Sequence, residues 1–296
     1  MTAFAPGVYN DVTDSDYRAA AGVANSDLKH IARSPAHYLA SKLSPREQSS
    51  SMLAGIALHT AILEPHEMMA RYVVLPPDAP RRPSITQINA KNPSPDTVAA
   101  IQWWAAWDGI NAGKPVMSAT DIEAYFRVGQ HIRSHPELSG FLGKGDAETS
   151  IFATDPVSGV AVKCRPDWLC TVGGMVVCID VKSCEDARPA AFQRAAVNYN
   201  YFQQAAYYQD VMSWCPAFAE KYGKDRPDLW LFCAFERDAP HGVKLYEVGQ
   251  EAQERGRKQY RDALSLYAHC TATGEYPAYD TTIEPLDYPR WSVDGL

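Results

Sequence analysis

The nine residues MVVCIDVKS, 175–183, restrict this chain more than any other stretch. Period-2 alternation puts Met175, Val177, Ile179 and Val181 on one face of a strand, and Val176, Cys178, Asp180 and Lys182 on the other. Apolar residues on both faces mark a central strand covered on both sides. A carboxylate and an ammonium at the end of such a strand are costly to bury without purpose. Taken alone, the D-x-K pair still reads as an ordinary strand-end ion pair.

The preceding residues change that reading. ETSIFATD, the turn DPVSG and VAVKCRPDWLC form two alternating runs joined by Pro/Gly turn chemistry, a hairpin. Asp167 lies at the end of KCRP, beside Pro166, a residue tolerated at strand ends and bulges. The tight glycine turn VGGM makes this segment the antiparallel neighbour of MVVCIDVKS and brings Asp167 close to Asp180. Two carboxylates at one place repel unless a cation lies between them. Oxygen ligands favour Mg²⁺, with Mn²⁺ able to substitute, over zinc. A divalent ion there polarises a phosphate and acidifies a water, while Lys182 orients that water or steadies developing charge. Together these make a hydrolytic set for a phosphodiester. Glu148, opening the first hairpin strand, can add a carboxylate or simply face solvent.

Around this hairpin the patterning predicts an α/β fold: a central mixed sheet flanked by helices, with a helical N-terminal section. Residues 1–296 read as one unit. The section 1–146 is mainly helical and includes a mobile Pro-rich loop near 76–96; 147–272 forms the α/β core and 273–296 a C-terminal tail. The first 25 residues read as an extended lead-in, Ser26 as the cap of a short helix, and Ser34-Pro35 as a stop and restart. A serine-rich stretch, SPREQSSS, leads into the apolar helix MLAGIALHTAIL, which carries His59 and closes at Glu64-Pro65.

Bulk properties exclude several classes. With 46% hydrophobic and 21% charged residues, the chain is an ordinary globular one. No apolar run approaches the roughly 20 residues that span a bilayer, and no secretory signal is visible at the N-terminus. A cytoplasmic setting and no membrane partner are expected. The 7 cysteines are odd in number and include no C-x-x-C pair, so buried thiols are favoured over disulfides, zinc or an iron–sulfur cluster. A formal net charge of −7 argues against a surface that coats DNA indiscriminately and for a basic groove on an acidic body. Arg81, Arg82 and Lys91 in the loop, and Lys163 and Arg165 beside Asp167, are candidate phosphate contacts. Trp103, Trp104 and Trp107 can stack on bases, but their helical spacing favours a core or a subunit interface.

Asp167 followed by Asp180-Val181-Lys182 resembles the PD-(D/E)XK nuclease signature. RPDWL with IDVKS is similar to the exonuclease VIII (RecE) branch of that superfamily. GIALHTAILEP resembles the G-x-x-x-H segment of RecB-like and RecE-like nucleases, YFQQAAYYQD the Q-x-x-x-Y motif, and SDLKHIARSPAHYLA the opening of the same branch. The pieces run in order from Ser26 to Asp210. Periodicity alone makes His59 a core histidine and leaves Gln204 and Tyr208 as packing residues on one helical face. The resemblance implies instead that His59, Asp167, Asp180 and the Val181 carbonyl hold one or two Mg²⁺ ions, that Lys182 is catalytic, and that Gln204 and Tyr208 position the lysine or a DNA phosphate. It further implies an exonuclease acting 5′ to 3′ on double-stranded DNA with a free end. Such an enzyme would be a ring-shaped homo-oligomer working with a RecT-like single-strand annealing protein, in a bacterial or phage-infected cell. A structure-specific or restriction-like endonuclease on the same fold, and a catalytically silent DNA-binding module, are the alternatives.

Overall fold

A computed structural model describes residues 4–44 and 50–286. Most of the serine-rich stretch and the last part of the C-terminal tail lie outside the described residues. The strands are β1 (Gly7–Tyr9), β2 (Val73–Val74), β3 (Val116–Met117), β4 (Asp146–Ala147), β5 (Ser150–Thr154), β6 (Ala161–Cys164), β7 (Trp168–Val172), β8 (Met175–Cys184), β9 (Leu229–Glu236) and β10 (Val243–Glu247). They form a mixed five-stranded sheet in the order β10-β9-β8-β7-β4, a three-stranded sheet β1-β5-β6, and the isolated pair β2-β3.

MVVCIDVKS is the central strand, with β7 antiparallel on one side and β9 parallel on the other. Its alternation divides the core. Val176 and Cys178 pack with Leu169, Phe232, Tyr207 and Tyr260. Val177, Ile179 and Val181 pack with Trp168, Leu231, Phe235, Ile62 and Ile132. Helices Tyr201–Ser213 and Gln250–Thr273 therefore cover one face, and Ser50–Leu63 with Ala119–Arg133 the other. Gly173 and Gly174, with φ of 59° and 80°, make the two-residue turn from β7 to β8 that sets the register.

Side-chain bonds fix the helices that carry the site. Arg133 donates to the Ile62 carbonyl at 2.6 Å and the Leu142 carbonyl at 3.0 Å, occupying an acceptor that the end of helix Ser50–Leu63 leaves open. A Cβ on Gly129 would lie 2.6 Å from the Ala61 carbonyl oxygen, so glycine is what lets the two helices close on each other next to His59. On the opposite face, Arg257 grips Asp210 with bonds of 2.7 and 3.0 Å, locking helix Tyr201–Ser213 to the long C-terminal helix.

Several expectations are corrected. VAVKCRPDWLC is not one strand. Pro166 has no N–H to donate, and the chain leaves the small sheet after Cys164 and enters the large one at Trp168. Its partner makes the same crossing at Glu148, whose φ is 48°. The lead-in holds β1 and a helix, Asp14–Ala19. Ser26 does not cap the next helix: it runs Asn25–Arg33, and Asp27 accepts from the Ala24 N–H at 2.9 Å. The segment 76–96 contains a helical turn, Ile85–Ile88, capped by Ser84. A further helix, Pro216–Tyr222, was not anticipated. Among the described residues, no helix is long and apolar enough to cross a membrane.

Candidate metal centre

The site arises from unequal pairing of the central strand. β8 pairs with β9 as far as Cys184, but its ladder with β7 stops at Ile179, opposite Trp168. Beyond that point one edge of β8 is uncovered, along Asp180, Val181 and Lys182. Continuing the register places Asp167 opposite Asp180. The Val181 N–H lacks a strand acceptor on this edge, and the Asp167 carboxylate takes it at 2.7 Å.

Three ligand-bearing side chains meet there. His59 Nδ1 lies 3.6 Å from Asp167 Oδ2. One ligand atom each from His59, Glu148 and Asp167 lies within 4.8 Å of the others. All three are half-buried, and Arg165 braces Glu148 from behind, donating to its carbonyl at 3.0 Å and facing its carboxylate at 3.1 Å. Asp180 is fully buried beside them. Its Oδ2 accepts from Gln204 Nε2 at 2.5 Å, and its Oδ1 rests against the Lys182 ammonium without a well-aligned hydrogen bond. Gln204 Oε1 accepts from Lys182 Nζ at 3.1 Å, so one amide holds both members of the D-x-K pair.

The charges are arranged for a cation. Burial and Lys182 push His59 down to about 4 against the pull of Asp180, leaving a neutral imidazole with a lone pair at neutral pH. Burial and Asp167 push Glu148 up to about 8, with Arg165 opposing. Burial pushes Asp180 up to about 6, aided by Asp167 and countered by Lys182. Asp167 is raised by burial too. Burial works against the Lys182 ammonium, but Asp180 and Asp167 outweigh it and hold the charge on. Crowded carboxylates that resist ionisation, a neutral imidazole, and a buried carboxylate oxygen lacking a good donor fit a hard divalent cation.

This predicts the pH response of the metal-free protein. Between pH 6.5 and 8 an unfolded glutamate is ionised, whereas folded Glu148, at about 8, still binds its proton. The native state then holds more protons, so stability falls as pH rises. His59, lowered to about 4, opposes this fall at the lower edge of the window, and Lys29 and Lys163, both lowered to about 8, oppose it at the upper edge. Urea midpoints in EDTA should show a net loss of about 0.5 kcal/mol across the window. A flat or rising profile would contradict the assignment.

The remaining candidates are placed differently. Tyr208 lies one turn beyond Gln204, edge-on to Trp230 at 5.9 Å between ring centroids, and burial above all holds its hydroxyl well above the usual phenol range. Lys163 does not face solvent: it is buried and donates to the carbonyls of Tyr17 at 2.7 Å and Ala20 at 2.6 Å, pinning the N-terminal segment. Arg165 is likewise occupied, by Glu148 and by the Val12 carbonyl at 3.3 Å. Arg81, Arg82 and Lys91 lie on an excursion that leaves at β2 and returns at β3. Arg82 pairs with Asp108 and lies over the Trp104 ring at 4.4 Å, while Trp103 and Trp107 stack at 5.3 Å. The tryptophans thus pack the excursion against itself. All seven cysteines are free thiols. Two neighbours of the site escaped the sequence reading, Tyr201, whose ring lies 4.8 Å from Lys182 Nζ, and Lys29, which feels the Lys182 and Asp180 charges.

This strand arrangement and acidic centre are those of the PD-(D/E)XK superfamily. The model of the PDDEXK-like domain of unknown function (DUF3799) matches residues 24–288, and the chain belongs to that family. The crystal structure of a "Putative exonuclease" from Eubacterium rectale superposes with a TM-score of 0.52 at 12% identity, over 93% of this chain and 94% of that one. At that identity the likeness is one of fold. The crystal structure of SSO0001 aligns with a TM-score of only 0.28 at 14% identity, over 73% of this chain and 86% of that one. No curated protein matches the sequence.

Proposed function

We propose that the protein is a Mg²⁺-dependent exodeoxyribonuclease that hydrolyses phosphodiester bonds from the ends of double-stranded DNA. The observation that carries this is the convergence of His59, Glu148 and Asp167 beside the buried Asp180–Lys182–Gln204 set. His59, Asp167, Asp180 and the Val181 carbonyl, with Glu148, would hold one or two ions. Such an ion supplies polarisation of a phosphoryl oxygen and a more acidic water. Lys182, held charged by two aspartates, offers its ammonium to the water or to charge developing on the phosphate. Gln204 keeps that ammonium and the Asp180 carboxylate in register. The half-buried position of His59, Glu148 and Asp167 leaves an approach for a backbone phosphate.

Exonuclease action, 5′ to 3′ polarity, a ring-shaped oligomer and an annealing partner come from the RecE resemblance, and the Eubacterium rectale neighbour's description agrees with the first. The test is linear duplex DNA labelled at either the 5′ or the 3′ end, with Mg²⁺ or EDTA, beside covalently closed circles. Mononucleotides released from the 5′-labelled end with Mg²⁺, and intact circles, are expected. Cut circles would mean an endonuclease; no cleavage with any divalent metal would mean a DNA-binding module.

A further inference from the structure

Beyond the ligand set lies a second cavity, of about 490 Å³. Asn10, Glu64 and Ala147 line both it and a cleft of about 740 Å³ that reaches Glu148, so the two adjoin along that edge. Part of its wall is the loop that leads from helix Pro136–Ser139 into β4. Distant partners fix this loop. The Phe141 carbonyl accepts from Trp168 Nε1 at 3.0 Å, and the Leu142 carbonyl from Arg133 at 3.0 Å. A Cβ on Gly145 would lie 2.5 Å from the Leu169 carbonyl oxygen and 2.7 Å from the Trp168 ring, so glycine lets the loop lie against β7. Lys144 therefore stands on a held backbone, with its side chain exposed.

The charges lining this cavity do not balance. Its two carboxylates, Glu64 and Asp146, are paired with cations from outside it. Arg71 lies 2.7 Å from Glu64, and Lys221 3.1 Å from Asp146, which also accepts from Tyr222 at 2.8 Å and Asn10 at 3.0 Å. Burial works against the Asp146 carboxylate, but Tyr222 and Lys221 outweigh it and hold its carboxyl below the usual range. The cations lack such partners. Arg133 is half-buried, and its bonds among the described residues go to the neutral carbonyls of Ile62 and Leu142. Burial pushes its guanidinium below the ordinary value, with no carboxylate opposing. A guanidinium carries five N–H groups, so Arg133 has donors to spare. Lys144, two residues after Leu142, makes no ion pair or hydrogen bond among the described residues. Two unpaired cations beside neutralised acids give the cavity a positive potential, on a chain whose net charge is −7. Such a place suits an anion.

Lys144 precedes Glu148 by four residues, so their Cα atoms are at most about 14 Å apart. Phosphates of one strand advance about 3.4 Å each along a duplex axis. We propose that Arg133 and Lys144 hold a backbone phosphate of the DNA strand that the metal centre cuts, within about five phosphates of the scissile bond. The guanidinium fork takes the phosphate oxygens, and the lysine adds a point charge. Both are positioning residues and touch no reacting atom. The inference rests on the nuclease reading and adds to it the path of the strand, out of the centre past Ala147.

The test is binding of linear duplex by the full chain with Ca²⁺ replacing Mg²⁺, while cleavage in Mg²⁺ is measured in parallel. One strand carries a neutral methylphosphonate at each position in turn. Wild-type affinity should fall about tenfold at one position near the scissile phosphate, and Lys144→Gln should be indifferent to that position. On unmodified duplex, Lys144→Gln should weaken binding about tenfold and lower the slope of log K against log salt by about 0.9, the share of one duplex phosphate; Lys144→Arg restores both. Arg133→Lys, which keeps the charge and loses the fork, should weaken binding with the slope unchanged. Inorganic phosphate and deoxythymidine monophosphate should stabilise wild type and Lys144→Gln equally against heat. Stabilisation by free phosphate that needs Lys144, with no response to methylphosphonate, would overturn the DNA assignment. If the wild type cleaves duplex while Lys144→Gln keeps its slope and its methylphosphonate profile, the phosphate site is overturned and the nuclease reading stands. If the wild type never cleaves but binds duplex through Lys144, the phosphate site stands and the nuclease reading falls. If it neither cleaves nor binds, both fall.

Discussion

Lys182→Met is expected to lower the rate of DNA hydrolysis at least about a hundredfold, as when one preorganised donor to developing charge is lost. Methionine keeps the stem that packs in the strand and removes only the ammonium. The loss exposes Asp180 to a proton rather than to a strained charge. Burial already pushes its carboxyl up to about 6, and Lys182 is the main restraint. Asp180 should therefore take up a proton in the variant, still bonded to Gln204, and far-UV circular dichroism should match the wild type. Initial rates on end-labelled duplex, with both proteins saturated in Mg²⁺, provide the measurement. Full activity in a folded variant would remove Lys182 from the chemistry.

Asp167→Asn should act in two directions at once. The asparagine oxygen can still accept the Val181 N–H that Asp167 takes at 2.7 Å, so the strand edge remains closed. One negative charge leaves a cluster in which Asp167 raises both Glu148 and Asp180. In EDTA the variant should be more stable than the wild type, by about 1 kcal/mol if one carboxylate's repulsion is worth a fraction of a buried charge pair. With Mg²⁺ the order should reverse, because the wild type gains stability from binding and the variant does not. Activity should fall about a thousandfold or more with the loss of a shared ligand. Thermal unfolding with and without Mg²⁺ separates these effects. A variant that keeps the Mg²⁺-induced shift would take Asp167 out of the ligand set.

The approach of Asp167 to Asp180 is legible in the sequence because a two-residue glycine turn and a period-2 strand determine register through local chemistry alone. The burial of β8 on both faces is legible for the same reason. The change of sheet at Glu148 and Pro166 is not, since alternation continues on either side of it and only the three-dimensional path separates KCRP from DWL. That crossing also brings Glu148 toward the centre, which strand position alone left open. Lys163 misleads because its composition-level role, a cation near Asp167, is cancelled by two backbone carbonyls some 143 to 146 positions earlier in the chain. Tyr201 opens the quoted segment YFQQAAYYQD, but it reaches Lys182 through helix packing, which no spacing rule in a single sequence encodes.

The excursion between β2 and β3 begins and ends side by side, with Val73 opposite Val116. Gly113 and Pro115 at its foot line a cleft of about 740 Å³ that also reaches Glu148. Its two stems are already joined, so lengthening, trimming or replacing everything beyond them costs little closure entropy and leaves the strands carrying the acids untouched. The molecule thus has a socket at the rim of its candidate metal centre, where evolution or an engineer can exchange the excursion while Glu148, Asp167 and Asp180 keep their strand positions.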